Sequence, residues 1–205
     1  RDARKSRGLG DVHKRQLLLL PIFIDSYYLD NISYFMCWTF ISLGLAVIWG
    51  MGGILSFGQT AFFGLAGYGF SVISINFLGI AGVSIWSVVL SLIITGIFGM
   101  IVGYFLFYGG IYDVFIGIVT LAITLVLETF MQQTAGPEYA IGSARLNGFN
   151  GMQGMPTIGF ESLQFGLLEG ITQYYFILLL AIIILISLYK FCLLYTSDAA
   201  DEHRR

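Results

Sequence analysis

The sequence predicts an all-α polytopic integral membrane protein, and three observations carry that prediction. Apolar residues make up 57% of the chain and charged residues 11%, against roughly a quarter charged in an ordinary soluble domain. Mean hydropathy is +0.84, more than a soluble core can use. The apolar residues also fall into runs near the ~20 residues that cross hydrocarbon, parted by polar or glycine-rich joints. About five complete transmembrane helices are expected, preceded by a truncated first one and interrupted by a Gly-rich broken or re-entrant segment.

The charges sit mainly at the two ends. Of ten Lys and Arg, six lie in residues 1–16 and two are Arg204 and Arg205. A basic tail ordinarily marks a lipid-binding or nucleic-acid-binding arm, or a topology signal. Here Cys192 to Glu202, CLLYTSDAADE, resembles a conceptual translation of the transposon-end adapter used in sequencing libraries. Asp11 to Gln16, DVHKRQ, resembles the opposite strand of that end, with His13 where tyrosine is expected. Residues 1–16 and 192–205 are therefore expected to be non-native tails and are kept out of the fold reasoning. The alternative, ordinary disordered termini, leaves the membrane reading intact and restores a basic, cytoplasmic N-terminus. Residues 17–191 then hold seven acids and two bases, Arg145 and Lys190.

Taken in order, Leu17 to Ile24 is too short to span and reads as the end of a helix. Asp25 to Asn31, DSYYLDN, reads as a short polar loop with Tyr27 and Tyr28 at the interface. Ile32 to Trp49 can span. Cys37 within it reads as a small buried apolar residue, since no CxxC spacing or second native cysteine accompanies it. A helix from about Gln59 to Ile80 follows, with Thr60, Gly64, Gly67, Ser71 and Ser74 at spacings that permit close helix contact. Val83 to Phe107 is the cleanest span. Ser87, Ser91, Thr95, Gly99 and Gly103 recur every four residues along it and so share one face. That face suits helix packing; a substrate groove is the alternative. Ile111 to Phe130 spans again, with Asp113 and Glu128 near its ends. Thr120, Thr124 and Glu128 stand at i, i+4 and i+8 as one polar line, and Glu128 is either an interfacial acid or a pathway or inter-helix partner. Residues 131–170 hold eight Gly and Pro among polar residues between Gly136 and Gly159. A connection this long is uncommon unless functional or disordered. Ile171 to Phe191 is the last span.

The stretch Trp49 to Gly69, WGMGGILSFGQTAFFGLAGYG, organises the rest. Gly50, Gly52, Gly53 and Gly58 interrupt two apolar runs, followed by Gln59 and Thr60, with Ser56 inside the break. In hydrocarbon each unpaired backbone group is costly, so such a break persists only where protein or a water-filled cavity covers it. It predicts a lined pathway built on half-helix ends, or else a plain loop between two helices. In the pathway reading Gly53, Ser56, Gly58, Gln59, Thr60, Thr120, Thr124 and Glu128 line the substrate route.

Leu43 to Tyr68, LGLAVIWGMGGILSFGQTAFFGLAGY, resembles the signature of LivM-type permeases, the membrane subunits of bacterial ABC importers for branched-chain amino acids and of their urea and amide relatives. Gly110 to Phe130, GIYDVFIGIVTLAITLVLETF, is similar to that family's GIYFAxxTLA segment. Asn147 to Pro156, NGFNGMQGMP, is similar to its GGxxGLxGIP loop, with Asn147 and Phe149 in place of small residues. The resemblance implies a second homologous permease subunit, two cytoplasmic ATPase subunits, a periplasmic substrate-binding protein and surrounding membrane lipid. ATP would bind on the partner subunits, so no cofactor is expected here, and the location implied is the bacterial inner membrane. Lys190, by the positive-inside rule, and the family's cytoplasmic coupling loop after the last span both place that helix end inside. Counting back puts residues 131–170 and 25–31 outside, and the Gly109 turn and Trp49 to Gly58 inside.

Other classes fare worse. A secondary transporter driven by ions usually keeps ionisable residues at a core cavity, for which Glu128 is the one candidate. A membrane scaffold would explain the small-residue stripe but not the break. The chain has no GxxxxGK[ST] phosphate loop, no histidine between residues 17 and 191, and no Ser, His and acid set, so neither an enzyme nor a metal site is expected. Nucleic-acid binding has only the excluded tails in its favour.

Overall fold

A computed structural model describes residues 15–111, 114–160, 165–166 and 170–202, with side chains described over 15–111, 114–159 and 170–192. Asp113, Glu161 and Glu169 lie outside the described residues, as do residues 1–14 and 203–205 of the expected tails. Among the described residues six α-helices carry the chain. These are α1 (residues 15–23), α2 (Ser26–Gly52), α3 (Gln59–Asn76), α4 (Val83–Tyr108), α5 (Val114–Gln132) and α6 (Ile171–Glu202). Four of them, α2, α4, α5 and the Ile171–Cys192 part of α6, are long and apolar enough to cross a membrane. The all-α polytopic membrane fold therefore holds. Of the five expected spans the remaining one is α3, whose 18 residues rise about 27 Å at 1.5 Å each and include polar Gln59 and Asn76 at its ends.

Three boundaries differ from expectation, one of them the end of α6, which runs past Phe191 to Glu202. The segment Asp25 to Asn31 is not a loop, because α2 starts at Ser26 and Asp25 is its extended N-cap (φ −62, ψ 152). SYYLDN is polar but holds neither Gly nor Pro, and polarity alone does not stop a helix at an interface. At its other end α3 stops at Asn76 rather than near Ile80. Gly79 and Gly82 beyond it take φ of 98 and 73, left-handed values that suit glycine.

The helices pack around α3, which lies against α4 most extensively and also touches α2 and α5; α2 packs in turn on α6. Leu29 of α2 and Tyr174 and Leu178 of α6 form one buried cluster. Tyr174 and Tyr175 also donate to the carbonyls of Leu17 and Leu18, both at 2.8 Å, tying α1 to the start of α6. The outward surfaces are apolar: Trp86, Leu92, Met100 and Phe105 of α4 all stand exposed.

The described part of residues 131–170 is built rather than shapeless. Strands β1 (Ala140–Ile141) and β2 (Ala144–Arg145) form an antiparallel hairpin, and β3 (Gly159–Phe160) pairs with β4 (Phe165–Gly166) in a second. Between them a short 3-10 helix covers Gly148–Asn150. Ala144, Leu146 and Met152 bury themselves against Tyr68, Val72, Ile75 and Met131, so the segment folds back over the ends of α3 and α5. Asn76 fixes it there. Its Nδ2 donates to the Ile141 carbonyl at 2.7 Å and its Oδ1 accepts from the Ser143 N–H at 2.8 Å. Gly142, at φ 65, brings the hairpin turn so close to the Asn76 side chain that a Cβ there would displace its amide. On α4, Ser84 exchanges bonds with Gly159, donating to its carbonyl at 2.8 Å and accepting its N–H at 3.2 Å.

Candidate functional site at the α2–α3 break

The α2 helix runs through Gly50 and Gly52 and ends at Gly53, whose φ of 66 and ψ of 6 are left-handed. Its N–H donates back to the Trp49 carbonyl at 3.0 Å, the glycine ending common to helix C-termini. Irregular backbone then lasts until Gly58, and α3 begins at Gln59 as expected. Ser56 is buried, and its Oγ accepts the Gly58 N–H at 3.3 Å. Gly58 itself is helical (φ −81, ψ −1), so torsion does not demand glycine there. Space is tight instead, since an added Cβ would lie 3.3 Å from Cβ of Thr120, which would have to give way by a few tenths of an ångström. Gly53 is the converse case, with open space around it and a backbone that only glycine adopts cheaply.

The break is fastened to α5. Leaving the helix strips Phe57 of helical partners for both its backbone groups, and two hydroxyls of α5 take them. Thr120 Oγ1 accepts the Phe57 N–H at 3.1 Å, while Thr124 Oγ1 donates to the Phe57 carbonyl at 3.2 Å. Each hydroxyl is also anchored within α5. Thr120 donates toward the carbonyls of Ile116 and Gly117 at 2.8 and 3.0 Å, and Thr124 shares its proton with the Thr120 carbonyl at 2.9 Å. Gly117 lets the strand of the break come close, because a Cβ there would meet the Leu55 carbonyl at 3.2 Å. A small apolar cleft of about 220 Å³ between Gly53, Leu55, Phe57, Gly117 and Leu121 flanks this contact.

A larger cavity, about 440 Å³, opens on the other side between α3 and α5. Thr60, Ala61, Leu65 and Tyr68 form its α3 wall; Thr124, Leu127, Glu128 and Met131 form its α5 wall. Gly148 and Phe149 of the 3-10 helix roof it. Gly148, at φ 53, sits so close to Ala135 that a Cβ would come within 2.8 Å of its Cβ and 2.9 Å of its Cα and N. Glu128 is exposed at the wall and accepts a bond from Gln132 Nε2 to its Oε1 at 3.0 Å.

The structure thus sets Gly58, bonded to Ser56, against Thr120, ties Phe57 to Thr120 and Thr124, and gathers Thr60, Thr124 and Glu128 at one cavity. Gln59 turns elsewhere, half-buried, its Oε1 lying 3.2 Å from where a Cβ on Gly44 of α2 would be. The stripe on α4 stands apart from all of these. Ser87 and Ser91 are buried; a Cβ on Gly69 of α3 would lie 3.3 Å from Cβ of Ser91, and Gly99 faces the Phe62 ring. Among the described residues, a Cβ on Gly103 would meet only Phe107 of its own helix within 4 Å. Sequence reasoning missed Asn76, Ser84 and Gly117, and the part played by the Phe57 backbone. Gly117 was visible inside the GIYDVFIGIVTLA stretch, while Asn76 stood out only as a polar residue closing an apolar run.

A family model described as the permease component of a branched-chain amino acid transport system matches residues 27–193. The chain belongs to this family. Its break, its α5 polar line and its Asn147 to Pro156 roof all lie within the matched region. It is a multi-pass transport subunit rather than an enzyme, and a permease component works in a complex with other subunits. No curated protein and no solved structure matches the chain.

Proposed function

We propose that this chain is the membrane-spanning permease subunit of an ABC importer, carrying branched-chain or other apolar amino acids, or a small amide such as urea, by ATP-driven alternating access in a bacterial inner membrane. Its partners in this reading are a second homologous permease, two cytoplasmic ATPases that bind the ATP, and a periplasmic binding protein. The observation that carries the reading is the α2–α3 break, held on α5 by two hydroxyls that take both backbone groups of Phe57. Irregular backbone in apolar surroundings needs such cover, and here the cover is the helix that also walls the larger cavity. The break and the cavity together are the proposed route. In this reading residues 131–170 and the α3–α4 corner lie together on the outer side; the Asn76 and Ser84 bonds hold the two on a common side.

Reconstitution in proteoliposomes with the three kinds of partner tests this. Uptake of labelled L-leucine is expected to require ATP on the ATPase side; uptake that follows an ion gradient without ATP contradicts it. A cysteine at exposed Asn150 is expected to react with an impermeant thiol reagent from the periplasmic side, and labelling from the cytoplasmic side alone reverses the topology.

A further inference from the structure

We infer that Glu128 is the specificity-determining residue of the α3–α5 cavity, taking the ammonium group of a zwitterionic apolar amino acid and so favouring it over a neutral amide. This rests on the pathway reading above and deepens it. Among the described residues lining the cavity, Glu128 is the one that carries a charge, and no base accompanies it. The neighbouring wall is apolar, from Ala61 and Leu65 on α3 to Leu127 and Met131 on α5. The hydroxyl proton of Thr124, also in the lining, is committed to the carbonyls of Thr120 and Phe57.

Gln132 donates one bond to Oε1 of Glu128 at 3.0 Å, whereas an ionised carboxylate offers about four acceptor sites. The remaining capacity suits a donor with several N–H groups and a positive charge. Attraction between opposite charges strengthens as water is displaced by apolar walls, so an ammonium gains more here than the NH2 of an amide. A carboxylate ligand lacking the ammonium meets repulsion instead. The apolar walls accept an aliphatic side chain. Gly148 and Phe149 close the cavity from above, and the fit of Gly148 against Ala135 fixes where that roof lies.

Binding of tritiated L-leucine to the full chain in lipid nanodiscs tests the assignment, with 4-methylpentanoate (the same carbon skeleton without the ammonium) and urea as competitors. Saturable leucine binding is expected, displaced by unlabelled leucine and not by 4-methylpentanoate or urea at equal concentration. Glu128→Gln should weaken it about tenfold or more, as loss of a charge-assisted contact does, and Glu128→Asp should retain most of it. Unchanged binding by Glu128→Gln, equal competition by 4-methylpentanoate, or no saturable binding by the unaltered chain each overturns the inference. Gly64 lines the cavity and has open space at its Cβ position, so a Gly64→Cys chain in the complete transporter separates the two readings. If thiol modification there blocks uptake while Glu128→Gln binds leucine normally, the route stands and only the role of Glu128 falls. If modification leaves uptake unchanged, the route falls and the inference with it.

Discussion

Two lines of small polar residues run along helices of this permease that are consecutive in the chain and both lie against α3, and they do different things. On α4 the hydroxyls turn back on their own helix: Ser87 donates to Val83, Ser91 to Val88 and Thr95 to Ser91, at 2.7 to 2.9 Å. Their contribution is small size, which lets α3 approach Ser91 at Gly69. On α5 the hydroxyls of Thr120 and Thr124 reach a segment more than sixty residues away in sequence and supply partners that broken backbone has lost. Residue type and spacing are alike in the two lines. What separates them is whether the facing helix is whole.

That contrast fixes a ranking of substitutions. Thr120→Val keeps the shape and leaves the Phe57 N–H without its acceptor, for which a cost of about 1–3 kcal/mol is expected; hydrogen exchange at the Phe57 amide should quicken accordingly. Gly69→Leu should cost a similar amount, about 1–3 kcal/mol, by overpacking the α3–α4 contact, read as lost thermal stability with exchange at Phe57 unchanged. Thr124→Val removes a longer bond from a half-buried site and should cost about 0.5–1.5 kcal/mol. Ser87→Ala should cost about 0.5 kcal/mol, the low end for one hydrogen bond, because the Val83 carbonyl it releases keeps its place in the helix. Should Ser87→Ala instead rival Thr120→Val, the two lines are not distinct in kind.

Much of this was legible in the sequence, for reasons that particular residues make plain. The start of α3 at Gln59 and the end of α2 near Gly53 follow from clustered glycine, and the α5 line follows from its spacing of four. The partner of that line did not follow, because an orphaned backbone group leaves no mark in a sequence. Residues 26–31 were misread as a loop because polarity was taken for a helix stop where no Gly or Pro enforced one. The two hairpins of residues 131–170 escaped notice because strands of two residues carry no period, and their anchorage on Asn76 and Ser84 joins positions far apart in the chain. The α4 stripe was read correctly in its spacing and only partly in its neighbours, since Gly103 meets no other helix within 4 Å among the described residues.

The central claim is that the break lies beside the translocation route and is held there by close contact with α5. Gly58→Val tests it most directly, because Gly58 has an ordinary helical backbone and only its nearness to Thr120 excludes a larger side chain. L-leucine uptake should be measured in proteoliposomes containing equal amounts of assembled complex with and without the substitution, beside Gly53→Val. Loss of uptake with assembly intact is the predicted result for both. Normal transport by Gly53→Val and Gly58→Val would make the stretch a plain connecting loop and place the route elsewhere in the permease.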